Sequence, residues 1–266
     1  MKKLQNFINT KNKIIGVIPV RMAASRFPGK PLKKILDMTM LEHVYYRALL
    51  FKNWKKLIVA TCDKEIMDFC QKRKIPSVIT SSKHTRCLDR VYEAANKIKD
   101  IKDKDIVVCV QGDEPMLIPD MIEKSIIPLK KNKKANCTVL AMSIIDKKQF
   151  QDTNTVKIIH NLEGEVLYTS RSPVPYAKKF HKSLKAKRIY GIFAFKWKFL
   201  KKFHLTPESF LEKVEACDSN RICDNYGTQY IASYPYRNSF SVDCKKDLEK
   251  VCRYMKKDKF YNFYKK

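Results

Sequence analysis

The sequence predicts an α/β fold in which a mostly parallel sheet is flanked by helices and followed by a smaller mixed or antiparallel insertion. Through about the first 145 residues, apolar runs of strand composition alternate with segments whose apolar residues recur at helical spacing. Two polar motifs directly follow two of these runs, and from about Gln149 the pattern changes toward more antiparallel strands. Such alternation is typical of a Rossmann-like sheet, which binds ligands at the carboxyl ends of its strands.

The first part of the chain, residues 14–148, contains the alternating elements. Its predicted strands are 14–20, 56–61, 77–80, 105–110 and 137–143, and its predicted helices are 39–50, 64–74, 84–98 and 121–129. The fourth of these strands is too continuously apolar to be an edge that faces water. Both polar motifs begin at strand ends, one after 14–20 and one after 105–110, where such a sheet binds its ligands.

The second part, residues 149–240, is predicted to be an insertion and lid built onto the same sheet. Its predicted strands are 156–160, 165–168, 188–195 and 230–233, and helices are predicted over 212–225 and, beyond this part, over 245–256. Gly227 could serve as the C-cap of helix 212–225. Because neither an internal repeat nor a Pro/Gly/Ser-rich linker occurs, residues 14–266 are predicted to form one domain behind an N-terminal extension, residues 1–13.

The chain is strongly basic, with 55 Lys and Arg against 27 Asp and Glu and a formal net charge of +28. Its lysines are scattered in twos and threes, and no long basic run interleaved with aromatic residues occurs. This distribution indicates a generally lysine-rich composition rather than a nucleic-acid-binding surface. The excess charge would still help to draw anionic substrates toward a site.

The cysteine pattern and the hydropathy predict a soluble cytoplasmic protein without a membrane partner. Nine cysteines occur without any C-x-x-C pair, and several stand in apolar runs typical of reduced core residues. The N-terminus lacks the apolar stretch of an export signal, and no run of about 18 apolar residues could span a membrane.

The first polar motif follows strand 14–20 and is rich in small and basic residues. It carries Arg21, Ser25, Arg26 and Lys30, and it ends in Pro-Gly-Lys-Pro-Leu at 28–32. Backbone amides and cations both favour anions, so a loop of this kind at a strand end predicts a phosphate cradle. It is neither a Walker A loop nor a G-x-G-x-x-G turn. An ordinary basic loop is the alternative.

The second polar motif is Gln-Gly-Asp-Glu-Pro at 111–115, directly after strand 105–110. A carboxylate at Asp113, fixed beside a phosphate cradle, is well placed to hold Mg²⁺, which prefers oxygen ligands and substrate phosphates. Gly112 would allow a close backbone approach at this turn. An ordinary acidic turn is the alternative.

These motifs resemble those of the CMP-3-deoxy-D-manno-octulosonate (CMP-Kdo) synthetases, a family of sugar nucleotidyltransferases. Ser-Val-Asp at 241–243 resembles a late motif of that family, and Leu-Tyr-Thr-Ser-Arg at 167–171 resembles a stretch whose arginine faces the sugar acid. In order and spacing the resemblance covers roughly residues 14 to 250. It implies a fold of the nucleotide-diphospho-sugar transferase type, with a nucleotide-binding part at 14–148 and a sugar-binding and dimerisation part at 149–240.

The resemblance also implies an activity and a set of site residues. CTP would react with Kdo or a related 3-deoxy-2-ulosonic acid to give the CMP-sugar and pyrophosphate, with Mg²⁺ as cofactor and a homodimer as assembly. Asp113 and Asp243 would hold the metal, and Arg21, Lys30 and Asp113 would be catalytic. The nucleotide-binding residues would be Arg21, Ser25, Arg26, Lys30, His84, Asp89 and Arg90, and the sugar-binding positions Gln111, Arg171, Ile189, Phe193 and Asp218.

The chain departs from the family pattern in two places that bear on specificity. The family loop His-x-Ser-Gly-Thr-Asp-Arg, which helps to recognise cytosine, appears as His-Thr-Arg-Cys-Leu-Asp-Arg at 84–90. A His and a Tyr that contact the sugar in the family correspond to Ile189 and Phe193, and Asp218 stands where the family has Glu. Since polar contacts discriminate strongly, the changes at 189, 193 and 218 predict an altered range of sugar acids, whereas the changed centre of the 84–90 loop bears on the preference for CTP.

Three alternatives stay open at this level. The acceptor of a nucleotidyltransferase could be a sugar phosphate or a polyol phosphate. A nucleotide sensor would bind CTP without turnover, and a nucleic-acid-binding protein would use the transferase fold as a scaffold and bind with steep salt dependence. No residue stands out as a general base.

Overall fold

The computed structural model describes residues 12–23 and 26–265, and the predicted site residue Ser25 lies outside that range. The strands are β1 (Ile14–Pro19), β2 (Lys34–Ile35), β3 (Met38–Thr39), β4 (Lys56–Thr61), β5 (Ser77–Ile79), β6 (Ile106–Val110), β7 (Cys137–Ser143), β8 (Lys157–His160), β9 (Val166–Ser170), β10 (Lys187–Lys196) and β11 (Gln229–Tyr234). The helices are α1 (Met40–Leu49), α2 (Lys64–Lys72), α3 (Cys87–Asn96), α4 (Pro119–Lys131), α5 (Lys147–Gln151), α6 (Trp197–Leu205), α7 (Phe210–Glu215), α8 (Asp218–Asn225) and α9 (Lys245–Met255). Short 3₁₀ turns span Lys30–Leu32, Lys182–Leu184 and Lys259–Phe263.

One central sheet organises the described residues, and its strands follow the order β11-β7-β10-β6-β1-β4-β5. β1 lies between β4 and β6 and is parallel to both. β10 runs antiparallel to its neighbours β6 and β7, and the hairpin of β8 and β9 pairs with its beginning. The predicted α/β class with a mostly parallel sheet is confirmed, and strands from the second part of the chain join the same sheet.

Helices cover both faces of the sheet, because successive strand residues point to opposite sides. Ile14 and Ile18 of β1 belong to a buried cluster with residues of α1, α2 and α4. Ile15 and Val17 belong to a second cluster, with residues of α3 and α6. The continuous apolar runs of the sequence therefore correspond to strands that are buried on both faces.

Two predicted helices differ from the structure. Helix 84–98 begins only at Cys87, so that residues 84–86 form a loop. Helix 212–225 is divided into α7 and α8, because Ala216 adopts a left-handed conformation with φ 48°. Gly227, with φ 55°, follows α8 as the predicted C-terminal cap. The short helix α5, the helix α6 and the β2–β3 ribbon were not predicted.

A third apolar cluster lies beneath the loop that follows β1. Its buried residues include Ile35 of β2, Met116, Val242 and Met255 of α9, and the loop residue Phe27 packs against them. The cluster thus packs together the loop after β1, the segment after β6 that carries Asp113 and the segment before α9 that carries Asp243. Among the described residues, no helix is both long and apolar enough to cross a membrane.

Candidate active site

A cavity of about 250 Å³ opens at the carboxyl ends of β1 and β6. Its strand-end wall includes Arg21, Arg26, Lys30, Gln111, Asp113 and Asp243. The loop before α3 and the start of that helix supply His84, Thr85, Arg86, Cys87 and Arg90. The structure thus brings together eight of the predicted site residues, from segments that are far apart in the sequence.

Gly112 allows the two strand ends to approach each other. A Cβ atom at this position would lie 2.2 Å from Val20 Cγ1 and 2.9 Å from the carbonyl oxygen of Pro19. No side chain fits at such distances, so glycine is required where the segment after β6 crosses the end of β1. The close approach brings Asp113 to the same cavity as the basic loop.

The ammonium of Lys30 lies between the two predicted metal ligands. Its Nζ is 2.9 Å from Asp113 Oδ2 and 3.6 Å from Asp243 Oδ1, and it also donates to the carbonyl oxygen of Val242 at 2.9 Å. Arg26 reaches Asp243 from the other side, with Nη2 3.0 Å from Oδ1. The two carboxylates therefore share one lysine.

The pKa values of these groups reflect burial and mutual charge. Burial acts to lower the pKa of Lys30, but the carboxylates of Asp113 and Asp243 outweigh it and raise this pKa above its usual value. Burial, and then the charge of Asp113, raise the pKa of Asp243. In this arrangement the Lys30 ammonium and the Arg26 guanidinium offset the repulsion between the two carboxylates.

The donor set fits Mg²⁺ bound together with a substrate. Mg²⁺ commonly uses one or two carboxylates and completes its shell with phosphate oxygens and waters. Asp113 and Asp243 supply such a pair beside three cations suited to phosphates. Within residues 12–23 and 26–265, no group of three or more His, Cys, Asp or Glu residues could hold a metal, so an all-protein cage is not formed there.

Glu114 ties the segments that carry the two carboxylates. Its Oε1 accepts hydrogen bonds from Gly191 N at 3.0 Å and from Ser241 Oγ at 2.6 Å. The backbone N–H of Val242 donates to the carbonyl oxygen of Asp113 at 2.9 Å. Burial, and then the charge of Asp113, raise the pKa of Glu114 to about 7.

Carboxylates from outside the cavity hold the loop before α3. His84 Nε2 lies 2.6 Å from Glu93 Oε2. Thr85 Oγ1 and Arg86 Nε both donate to Glu208 Oε1, at 3.3 and 3.1 Å. Burial acts to raise the pKa of Glu93, but hydrogen bonds from Lys97, Ser81 N and His84 lower it to about 2.

Two further residues of the predicted nucleotide set lie on α3. Arg90 lines the cavity, and its Nη1 donates to Thr80 Oγ1 at 2.5 Å and to the carbonyl oxygen of Ser81 at 3.2 Å. Asp89 is not among the lining residues, because its carboxylate contacts Arg221 and His204 instead.

The predicted sugar-binding positions are spread more widely. Gln111 lines the cavity, and its amide donates to Cys87 Sγ at 3.4 Å. Asp218 lies behind this wall, where its Oδ2 accepts from Cys87 Sγ at 3.2 Å, and burial raises its pKa to about 6. Three positions lie outside the wall. Arg171 donates to backbone carbonyl oxygens of Glu215 and Thr153, Phe193 is buried in the second cluster, and Ile189 packs against that cluster.

Sequence reasoning missed three residues of the cavity wall, Thr85, Arg86 and Cys87. Arg86 and Cys87 occupy the part of the 84–90 loop that departs from the family pattern, and that departure was the signal that could have singled them out, whereas Thr85 stands at the variable position of the pattern. Their partners Glu208 and Asp218 lie more than 120 residues away in the chain.

Comparisons with known proteins agree with this geometry. The sequence profile of a family described as cytidylyltransferase matches residues 15–231. The 3-deoxy-manno-octulosonate cytidylyltransferase of Leptospira interrogans is 36% identical over 250 residues, which cover 93% of this chain and 98% of that protein. The protein of the same description from Thermodesulfovibrio yellowstonii is 34% identical over 244 residues, covering 88% of this chain and 95% of that protein.

Solved structures give the same result. CMP:2-keto-3-deoxy-manno-octonic acid synthetase complexed with CTP matches with a TM-score of 0.80 and 30% identity, covering 92% of this chain and 99% of that chain. The 4-diphosphocytidyl-2C-methyl-D-erythritol synthase of Anaerococcus prevotii matches with a TM-score of 0.60 at 16% identity, which shows a common fold alone.

Proposed function

The chain belongs to the cytidylyltransferase family, whose profile matches residues 15–231, and on that premise we propose that it activates a 3-deoxy-2-ulosonic sugar acid with CTP. The resemblance found in the motifs is confirmed by relatives that are 31–36% identical and described as 3-deoxy-manno-octulosonate cytidylyltransferases. The substrate is therefore Kdo or a closely related acid. The observation that carries the proposal is the convergence of Lys30, Asp113 and Asp243 on one cavity at the strand ends.

The reaction is an in-line displacement at phosphorus. The anomeric hydroxyl oxygen of the sugar acid forms a bond to the α-phosphorus of CTP. The bond from that phosphorus to the bridging oxygen breaks, pyrophosphate leaves, and the hydroxyl proton passes to solvent. Such a reaction depends mainly on positioning and on neutralising charge.

The residues of the basic loop bind and orient the triphosphate. Arg21, Arg26 and Lys30 lie where three cations can contact phosphate oxygens, and Lys30 stabilises the negative charge of the departing pyrophosphate. Asp113 and Asp243 would hold Mg²⁺, which when bound neutralises phosphate charge and polarises the attacking hydroxyl. Both carboxylates are already aligned on one ammonium, which supports this assignment.

The acceptor is assigned to the side of the cavity lined by Gln111 and Cys87. Gln111 would orient sugar hydroxyl groups, and Asp218 would support this wall through Cys87. Arg171 remains the candidate for the sugar carboxylate, although its guanidinium donates to backbone carbonyl oxygens here. Ile189 and Phe193, which are apolar where the family has His and Tyr, lie outside the cavity wall, so the assignment of the acceptor rests on Gln111 and Cys87 rather than on these two positions.

The active assembly is proposed to be a homodimer formed through the second part of the chain. Large apolar side chains of that part are exposed, namely Leu162, Leu167, Tyr176, Phe210 and Val214. Exposed apolar groups of this number favour contact with a second copy.

All nine cysteines are free thiols, which supports a reducing, cytoplasmic location.

The proposed function is tested by pyrophosphate release with Mg²⁺. Each of the four nucleoside triphosphates is offered against a panel of 2-keto-3-deoxy sugar acids that includes Kdo, with Asp113→Asn alongside. Release that requires CTP, one sugar acid and Asp113 supports the proposal and identifies the acceptor. If a folded chain releases pyrophosphate only with a sugar phosphate or polyol phosphate, or with no pair at all, the proposed reaction is wrong.

A further inference from the structure

A fully buried lysine lies where the β8–β9 hairpin meets the turn that precedes it. Lys157, the first residue of β8, is 0% exposed. Its Nζ donates to the carbonyl oxygens of Asp152 at 2.9 Å, Thr155 at 2.6 Å and Arg171 at 2.5 Å. An ammonium has three N–H groups, so these backbone oxygens use all of its donors. Its charge is thus buried against carbonyl groups that compensate for the loss of water.

The three oxygens belong to two segments that the ammonium fastens together. Asp152 and Thr155 begin and end a turn at residues 152–155, whereas Arg171 directly follows β9. Within the turn, Thr155 N donates to the carbonyl oxygen of Asp152 at 3.1 Å. Lys157 therefore ties the turn to the end of the hairpin.

The fastened turn lies beside the candidate active site. Arg26, which lines the cavity, donates from Nη1 to Asn154 Oδ1 in the turn. Arg171, the candidate for the sugar carboxylate, donates from Nη1 to the carbonyl oxygen of Thr153 at 3.0 Å. The turn thus contacts one cation on the nucleotide side and one on the proposed acceptor side.

The contacts of Arg171 orient its guanidinium without using all of its donors. Besides the bond to Thr153, Nε donates to the carbonyl oxygen of Glu215 at 2.8 Å, and Nη2 donates to that of Ala216 at 3.5 Å. A guanidinium has five N–H groups, and these contacts in the described part of the chain use three of them. Two remain, which is the number that a carboxylate takes in a bidentate pair.

We propose that Lys157 is a positioning residue for the acceptor, because by fixing the turn at residues 152–155 against the end of β9 it holds Arg171 ready for the sugar carboxylate. The inference rests on the proposed function. A group that is oriented before its ligand arrives loses less freedom on binding, so the affinity for the acid is higher. An apolar side chain of the same length would fill the space and leave the three oxygens without these hydrogen bonds.

The support should depend on pH. Burial is the main cause that lowers the pKa of Lys157 to about 8. The carboxylates of Asp152 and Glu215 oppose this effect, and the guanidinium of Arg171 adds to it. Once the ammonium loses a proton, one of the three oxygens loses its donor. The KM for the acid is therefore expected to rise above about pH 8 in the unmodified chain.

The test compares KM values in Lys157→Met, which keeps the length of the side chain and removes its donors. With Kdo as the acid, KM for Kdo is expected to rise about tenfold, because affinity for the acceptor is lost. KM for CTP should stay within about threefold, since Arg26 keeps its ion pair with Asp243 at 3.0 Å. The rise of KM for Kdo above about pH 8 should be absent in this variant.

Lys187→Met is the matched control, since Lys187 is a half-buried lysine of the neighbouring strand β10 whose Nζ donates to Ser233 Oγ at 2.8 Å. Both of its KM values should equal those of the unmodified chain, and thermal unfolding verifies that each variant folds.

The outcomes separate this inference from the proposed reaction. If the unmodified chain turns over no 2-keto-3-deoxy acid, the proposed reaction itself is wrong. With turnover present, a folded Lys157→Met variant that keeps the KM for Kdo overturns the role of Lys157 alone. Should that variant not fold, the unmodified chain decides, because a KM for Kdo that is constant between about pH 7 and about pH 9 also overturns it.

Discussion

Lys30 Nζ lies 2.9 Å from Asp113 Oδ2, although 83 residues separate them in the chain. The contact joins the basic loop after β1 to the acidic turn after β6. It also brings a cation to the point where two carboxylates meet, since Asp243 Oδ1 is 3.6 Å from the same ammonium. One side chain thus serves both the carboxylate pair and the phosphates proposed to bind beside it.

Lys30→Gln is expected to lower kcat/KM for CTP by about 100-fold, because a cation that stabilises the departing pyrophosphate is lost. Lys33→Gln is the matched control, since Lys33 is an exposed lysine of the same segment. Steady-state kinetics of both variants, with thermal unfolding to verify folding, make the comparison. Equal losses in the two variants would indicate a general effect of charge, and the role given to Lys30 would be wrong.

Glu114→Ala is expected to reduce kcat by about tenfold or more, because small displacements of reacting groups are costly. The substitution removes an acceptor that joins Gly191 N and Ser241 Oγ, and it leaves the hydrogen bond from Val242 N to the carbonyl oxygen of Asp113 as a remaining connection between the segments of Asp113 and Asp243. Glu114→Gln retains one such acceptor and should restore most of the rate. The Mg²⁺ concentration for half-maximal activity should rise in Glu114→Ala and much less in Glu114→Gln. An unchanged Mg²⁺ requirement in the alanine variant would exclude the positioning role.

The sequence predicted the parts of the site that depend on strand ends. Continuous apolar runs mark buried strands, and the edge at which parallel strands end is fixed by the fold, so Lys30 and Asp113 could be expected to meet. Gly112 could likewise be recognised as a point of close backbone approach. These features depend on local pattern and on a general rule of topology.

Contacts between loops that lie far apart in the chain could not be predicted from the sequence. Glu208 holds Thr85 across 123 residues, and no local pattern marks either residue as a partner of the other. The break at Ala216 was missed because neither Gly nor Pro marks it, and the backbone there is set by tertiary packing. Arg171 follows the family motif in sequence, yet its side chain is directed to backbone carbonyl oxygens by its local surroundings.

Asp258→Asn is expected to lower the free energy of unfolding by about 3–5 kcal/mol, because it leaves a buried charge without its partner. The Arg47 side chain is 0% exposed, and its Nη2 lies 2.7 Å from Asp258 Oδ2. Chemical denaturation provides the measurement, and Asp103→Asn, which removes an exposed partner of Lys201, is the control. The control should change stability little. If both variants were equally stable, the buried pair would not anchor the C-terminal segment.

His43 is expected to make the fold sensitive to acid. Burial is the main cause that lowers its pKa to about 4, and its contacts agree with a neutral ring. Arg47 Nε donates to Tyr264 Oη, so the tyrosine proton points to His43 Nδ1 at 2.7 Å, while Nε2 donates to the carbonyl oxygen of Ile35 at 2.7 Å. A second ring proton, on Nδ1, would displace the Tyr264 proton from this contact.

The direction of the pH dependence follows from the number of protons that His43 binds in the folded and in the unfolded chain. Between the unfolded pKa of about 6.5 and the folded pKa of about 4, the unfolded chain binds a proton at His43 that the native chain does not. Stability therefore falls as the pH drops through this window, by up to about 3 kcal/mol from this residue. His43→Gln should be less stable at pH 7, with a flatter dependence on pH. His181→Gln, at an exposed histidine, should keep the slope of the unmodified chain. Equal slopes for His43→Gln and the unmodified chain would show that acid acts through other groups.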